Sequence, residues 1–234
     1  MKNLDEVARD SWYLQKTAQR TTVYSYSIAK RFMSSVRTVL ELGPAEGLVT
    51  ELLVRDGYEL TCVEGSKIFA DGLRRFPEVQ VIEGFFENVE MDKRFDFILL
   101  GHVLEHVDNP VEILSRIKDW LNPGGKIFCA VPNAISLHRL MAVEMGLIES
   151  VFSMSEKDVH HGHQRHYTAE RLRIDFEASG CEIIDSGGYW AKMLPDSILD
   201  TSWTDAQLDA SFKVGELIPT HAAELWVLAG LIED

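Results

Sequence analysis

Glu41 closes an apolar run, and the residues after it, Leu42-Gly43-Pro44-Ala45-Glu46-Gly47, make a glycine-containing turn. An acid at a strand tip followed at once by such a turn suits a nucleotide-like ligand, because the bend lets backbone N–H groups approach it. What the turn lacks narrows the ligand. A dinucleotide site needs G-x-G-x-x-G, so that the chain can reach a pyrophosphate seated at a helix N-terminus. Here Gly43 and Gly47 stand without the middle glycine, position 45 is alanine, and Glu46 would face an anion. The turn argues against NAD and FAD and for a cationic ligand without phosphates.

A second acid follows. Tyr58-Glu59-Leu60-Thr61-Cys62-Val63-Glu64 reads as a strand whose last residue lies 21 positions after Gly43. Nucleotide folds place an acid there to hold a ribose diol. Glu64 can accept two hydroxyl hydrogen bonds, and Gly65-Ser66 then opens a helix with Ser66 as its N-cap. A solvated strand-end acid is the alternative. A ribose, a sulfonium and an α-amino group together describe S-adenosylmethionine.

Two histidine-bearing stretches are candidates for the remaining chemistry. His160-His161-Gly162-His163-Gln164-Arg165-His166-Tyr167-Thr168 holds four of the eight histidines. Their spacing matches no common zinc pattern and no cysteine is near, so no metal is expected. His102, Glu105 and His106 become neighbours if their segment turns as a helix. A hydrogen-bonded pair that closes a loop is the plainer reading of Glu105 and His106, and His102, nearest the strand end, is the better candidate for the cofactor pocket.

The elements that must position these residues alternate strand and helix from residue 37 onward, which favours a parallel sheet with helices on both faces. Strands are expected near 37–42, 58–64, 79–83, 94–100, 125–131, 181–186 and 223–230. Asn109-Pro110 marks a helix start, and Asn122-Pro123-Gly124-Gly125 marks that helix's end and a tight turn. Residues 3 to about 35 read as one helical segment with a partly apolar face. Two longer inserts, about 133–167 and 187–221, hold most of the remaining aromatic and polar residues, among them Tyr189, Trp190 and Trp203. Acceptor selection belongs on such loop-borne sets above a rigid sheet, although all three aromatics could equally be core.

At 234 residues with 46% apolar content, the chain suits one α/β domain. The organisation expected is 1–35 as the helical N-terminal segment, 36–132 as the cofactor-binding half and 133–234 as the substrate-side half. A net charge of −14 opposes binding to nucleic acid, whose phosphates need clustered Lys and Arg. No membrane-length apolar run and no signal-peptide pattern in Met1-Lys2-Asn3-Leu4-Asp5-Glu6 are seen, so a cytoplasmic protein is expected. Cys62, Cys129 and Cys181 fall in expected strands without a Cys-x-x-Cys pair and are read as buried thiols. Oligomeric state is open.

Four ordered motifs carry a family resemblance: Glu41 through Gly47, Glu64, Phe95-Asp96-Phe97-Ile98-Leu99-Leu100-Gly101-His102-Val103-Leu104-Glu105-His106-Val107, and Leu121-Asn122-Pro123-Gly124-Gly125. Over roughly residues 37 to 135 the chain resembles the class I S-adenosylmethionine-dependent methyltransferases, especially the small-molecule branch that includes the ubiquinone-biosynthesis O-methyltransferases. The resemblance implies a Rossmann-like, seven-stranded, mostly parallel sheet with an N-terminal helical segment that lies across the cofactor cleft and two lid-like inserts. It implies that Glu41 and the backbone around Gly43 and Ala45 hold the methionine portion, that Glu64 with Gly65 and Ser66 holds the ribose, and that Phe85 and Phe86 flank the adenine. Leu100, Gly101 and His102 would line the methionine side. Many relatives carry an acid after the glycine where this chain has Gly84-Phe85-Phe86-Glu87. Some ubiquinone-pathway relatives use an acid at the position of His102 for a divalent metal, and that acid is replaced here.

Methyl transfer from a sulfonium is an in-line displacement, so alignment and exclusion of water do most of the work. A hydroxyl acceptor also benefits from a base, and histidine suits that task near neutral pH. The sequence reading is therefore transfer to a small-molecule acceptor at a hydroxyl oxygen, with His163 or His166 as the base. His163-x-Arg165-x-Tyr167-Thr168 is similar to a segment of many relatives that precedes a helix, and there Arg165 and Tyr167 serve equally as anchors. N- or C-methylation, a dinucleotide-dependent oxidoreductase and a non-catalytic binding protein remain the alternatives.

Overall fold

The structure, a computed structural model, describes residues 4–232; the opening Met1-Lys2-Asn3 of the expected N-terminal segment lies outside the described residues. Seven strands form one sheet: β1 (Thr38–Leu42), β2 (Glu59–Glu64), β3 (Gln80–Glu83), β4 (Phe95–Gly101), β5 (Leu121–Pro132), β6 (Cys181–Tyr189) and β7 (Glu224–Leu231). Their order is β3-β2-β1-β4-β5-β7-β6. The first five pair in parallel, and β7 lies antiparallel between β5 and β6. The central strands are near-continuous apolar runs because both faces are covered.

Strand alternation divides the core in two. Leu40, Leu42, Ile98 and Leu100 enter one apolar layer, whereas Val39, Phe97 and Leu99 enter the other. Truncating a fully buried member such as Leu40 to alanine should cost about 2–5 kcal/mol through lost burial and an unfilled cavity. The covering helices are α1 (Leu4–Arg9), α2 (Lys16–Ala29), α3 (Leu48–Arg55), α4 (Lys67–Leu73), α5 (Pro110–Lys118), α6 (Leu137–Glu144), α7 (Glu156–His161), α8 (Ala169–Ala178), α9 (Asp196–Ser202) and α10 (Asp205–Leu217).

The expected punctuation is met at most ends. Ser66 caps α4, Asn109 caps α5 with Pro110 in its first turn, and Thr168 caps α8. All three cysteines are free and buried. Among the described residues no helix is long and apolar enough to cross a membrane.

Two expectations are corrected. The N-terminal segment is not one helix: α1 stops at Arg9, and α2 begins only at Lys16. The intervening stretch crosses to the second half of the molecule, where Trp12 stacks on His160. The Asn122-Pro123-Gly124-Gly125 turn does not delay β5, because Leu121 already pairs with Phe95 before the register shifts and Phe97 meets Lys126. Asn122 anchors this irregularity by donating to Asp96 at 2.8 Å.

Strand order reverses between β1 and β4, and ligands of open α/β sheets bind beyond the carboxyl ends of strands at that point. Glu41, Glu64, Gly101 and His102 all stand there.

Candidate functional site

On the β1–β2 side, the polar groups are fixed before any ligand arrives. Glu41 is buried and accepts a hydrogen bond from the Thr50 hydroxyl at 2.7 Å. Burial pushes its carboxyl up to about 7, although the bonds from Thr50 and Cys62 pull the other way. Glu64 takes the Ala45 N–H on one oxygen at 3.1 Å and the Ser66 N–H on the other at 2.8 Å. One N–H on each oxygen leaves lone pairs for a diol.

The backbone of the turn is bent to match. Gly43 and Gly47 take left-handed conformations, and so does Ala45 at φ 48°, a conformation uncommon for a residue with a side chain. A Cβ on Gly43 would stand 3.2 Å from Val103 and 3.6 Å from Phe86, and one on Gly65 would stand 3.5 Å from the Phe85 ring. Three of the four expected motifs therefore converge on one cleft; the fourth, Leu121 through Gly125, lies at the opposite end of the sheet, where Leu121 pairs with Phe95 at the start of β4. Leu100 sends its side chain into the apolar core, so only its backbone can reach that cleft, and Leu99 lines the cavity beside Gly101 and His102.

That cavity encloses about 50 Å³ and is closed on its far side by Thr22, Ser25 and Tyr26 of α2. Sequence reasoning missed these three, since nothing in their local pattern separates a cavity wall from a packing face. The chain before α2 roofs the cleft. Asp5 accepts from the Ser66 hydroxyl at 2.7 Å, Ser11 bonds Glu46, and a Cβ on Gly65 would meet Leu4 at 2.7 Å.

On the other side His102 is the pivot. Its backbone is left-handed at φ 59°, and its N–H is tied to Ala130 at 2.8 Å. The ring's Nδ1 lies 3.4 Å from Oε1 of Glu105 and 3.8 Å from Oε2 of Glu224. Its Nε2 lies 3.3 Å from the Tyr189 hydroxyl. Burial would push His102 down, but the hydrogen bond with Glu105 and the fields of Glu224 and Glu105 carry it above its ordinary value. Burial would likewise raise Glu105, yet the bond with His102 and the fields of His106, His102 and His163 bring it down to about 2. Glu224 is pushed up to about 7 by burial.

His163 and His166 are held elsewhere. Their ring nitrogens lie 3.1 and 3.3 Å from the two oxygens of Asp158, and neither lines the cavity. Asp158 also closes a capping box with Ser155 at the start of α7. Burial opposes its charge, but the contacts from His163, His166 and Ser155 hold the carboxyl far below the usual range. His163 then meets the ring of His106 edge-on at 4.7 Å. One donor atom each of Glu105, His106 and His163 lies within 4.8 Å of the others, which places the three to share a proton or a divalent cation.

Arg165 and Tyr167 are anchors: Arg165 donates to the carbonyls of Leu104 at 2.9 Å and Asp108 at 3.1 Å, and Tyr167 bonds Asp175 at 3.2 Å. Trp190 is buried in the core and Trp203 packs against it, whereas Tyr189 reaches His102. Asp158 and Glu224 were not found as site residues from sequence, and Tyr189 was read there only as a possible acceptor-side aromatic. A capping-box pattern at Ser155-x-x-Asp158 was the one local signal available, and it speaks of helix start rather than chemistry.

The sequence model of the methyltransferase-domain family matches residues 17–186. The mitochondrial ubiquinone biosynthesis O-methyltransferase of Dictyostelium discoideum is 29% identical over 168 residues, covering 64% of this chain and 51% of that protein. The chain spans about half to two thirds of the length of the curated relatives it matches. Among solved structures, a possible histamine N-methyltransferase from Thermotoga maritima superposes with a TM-score of 0.66 at 18% identity, covering 96% of this chain and 97% of that one. The glycopeptide N-methyltransferase MtfA complexed with S-adenosyl-L-methionine superposes with a TM-score of 0.60 at 15% identity, covering 91% of this chain and 87% of that one. At such identities the likeness shows the fold.

Proposed function

The chain belongs to the methyltransferase-domain family, and from that membership we propose that it transfers a methyl group from S-adenosylmethionine to a small-molecule acceptor, at a hydroxyl oxygen, with His102 as the general base. The observation that carries the proposal is the His102–Glu105 pair at the mouth of β4, beside a cleft already furnished for the donor.

The cleft fits the donor chemically. Glu41 is a buried acid at the cavity wall with spare acceptor capacity for an α-amino group, and Glu64 has one free side on each oxygen for a ribose. A Cβ at Gly101 would meet nothing within 4 Å, so the backbone there is open to a ligand. Phe85 and Phe86 offer ring faces to an adenine. When bound, the donor supplies an electrophilic methyl group on a sulfonium. The enclosed space is far smaller than that molecule, so its surroundings must move to admit it, and we assign that movement to the chain before α2, which is tied to Ser66 and Glu46 by side-chain contacts.

The protein's own residues then have distinct tasks. Glu105, kept ionised, accepts from Nδ1 of His102 and leaves Nε2 with its lone pair toward the pocket. As the acceptor oxygen attacks, Nε2 takes its proton, and Glu105 stabilises the imidazolium that forms. His163 and His166 stand behind this pair through Asp158 and His106, and we assign them support of Glu105 and of α7. The roof and α2 exclude water.

Incubation with deuterated methyl donor and a panel of small phenols, alcohols and amines, read by mass spectrometry, tests the proposal. Label on a hydroxyl compound, abolished in His102→Gln, is expected; label confined to amines, undiminished in that variant, would contradict both the oxygen and the base. An amine acceptor is the second reading, favoured by structural neighbours whose names describe N-methyltransferases.

A further inference from the structure

Three residues with side chains adopt left-handed backbone conformations among the described residues: Ala45 at φ 48°, His102 at φ 59° and Trp190 at φ 73°. Such conformations persist only where the surroundings over-determine them, and they gather at functional sites. Ala45 belongs to the donor turn. His102 and Trp190 flank a single contact, that between His102 and Tyr189, the residue before Trp190.

The β6–β7 pairing places Tyr189 opposite Glu224. Directly opposed residues of antiparallel strands present side chains to the same face. Both are buried, and both reach the same ring: the Tyr189 hydroxyl stands 3.3 Å from Nε2 of His102, and Oε2 of Glu224 stands 3.8 Å from Nδ1. That carboxylate oxygen has no hydrogen-bond partner among the described residues, so its approach to Nδ1 is electrostatic. The corner is held by close backbone packing. A Cβ on Gly215 of α10 would come 2.0 Å from the Trp190 nitrogen, and one on Gly188 would come 2.5 Å from the Pro219 carbonyl oxygen. The Trp190 N–H is bonded to the Phe212 carbonyl at 3.1 Å, and its carbonyl accepts from Ala223 at 2.8 Å. No local freedom is left to Tyr189 or Glu224.

We propose that Tyr189 and Glu224 are positioning residues that bracket His102 across the β6–β7 pair, fixing its ring plane and keeping its proton on Nδ1. Glu224 and Glu105 both draw the hydrogen to Nδ1, while the Tyr189 hydroxyl donates to Nε2 in the closed site. The inference rests on the reading of His102 as base, but it makes a claim about the ring that is independent of turnover.

The test uses the full chain, ¹⁵N-labelled at histidine, with the His102 ring signals identified by their loss in His102→Gln. In the wild type without donor, these signals should show one neutral tautomer, protonated at Nδ1. Glu224→Gln should shift them toward a mixture and lower kcat about tenfold, with the KM for the donor changed less than twofold. Tyr189→Phe, which keeps the ring and its packing, should shift Nε2 and lower kcat several-fold, so that the claim stands on a second variant if Glu224→Gln fails to fold. Wild-type ring signals in the folded variants would overturn the bracket. Shifted signals with unchanged kcat would overturn its role in positioning. Undiminished turnover in His102→Gln would sink the base reading alone, since the ring signals of the other variants would still report whether the bracket exists.

Discussion

Nδ1 of His102 lies 3.4 Å from Oε1 of Glu105, a carboxylate with no exposed surface three residues further along the chain. A buried acid at that range fixes the tautomer of an imidazole and turns its other nitrogen outward. Removing the imidazole should therefore cost the chemical step. His102→Gln is expected to lower kcat by about 10²–10⁴, the usual contribution of a positioned base, with S-adenosylhomocysteine affinity within threefold of wild type by calorimetry. Equal loss of affinity and turnover would place His102 in donor binding instead.

The same pair sets the pH dependence. The His102 imidazole is held above its ordinary value of 6.5, and only its neutral form can take a proton. kcat should rise with pH through an apparent value above 6.5 and then level off. Glu105→Gln removes the hydrogen bond and the field that raise it, so the rising limb should move to lower pH as kcat falls. A limb that stays in place would detach Glu105 from the base.

Stability should follow pH through other histidines. Burial presses His106 down to about 4, and His138 and His161 down to about 3, against 6.5 in an open chain. Between those values the unfolded chain binds protons that the folded one refuses, so the stability these three contribute is complete above about 6.5 and is lost as pH falls, while Glu41 and Glu224, raised to about 7, act in the opposite direction. The histidine part is read by difference: as pH falls from about 6.5 to about 4, the thermal unfolding midpoint of His138→Gln should change in the stabilising direction relative to wild type. A difference between the two proteins that does not vary with pH across this range would contradict it.

The roof makes a kinetic claim. Trp12 stacks on His160 with ring centroids 4.3 Å apart, joining the segment over the donor cleft to α7. Trp12→Ala should speed both entry and escape of S-adenosylhomocysteine several-fold in stopped-flow fluorescence. Unaltered rates would mean that the donor passes elsewhere.

What the sequence made legible was the donor side, because strand ends and glycine turns write their geometry locally. Glu41, the bend at Gly43 and Glu64 are each readable from a strand and the turn that follows it. Seven strands were likewise found, with ends displaced by a few residues at β5 and β6. The acceptor side was not legible, because it is made by register. Glu224 meets Tyr189 only through β6–β7 pairing, and both meet His102 only because β7 inserts between β5 and β6. His163 and His166 carry the residue type expected of a base, yet their place is decided by Asp158 and α7. The break between α1 and α2 was hidden for a similar reason, since Trp12 leaves the helix to reach a ring about 150 residues away.

The central claim is that Glu41 and Glu64 furnish a site for a sulfonium donor, and calorimetric titration of ligand-stripped protein with S-adenosylhomocysteine tests it most directly. One site per chain is predicted, weakened at least tenfold in Glu64→Ala through loss of a charged hydrogen-bond acceptor worth about 1.5–3 kcal/mol. No binding to the folded wild type, or an affinity that Glu64→Ala leaves untouched, would contradict the account.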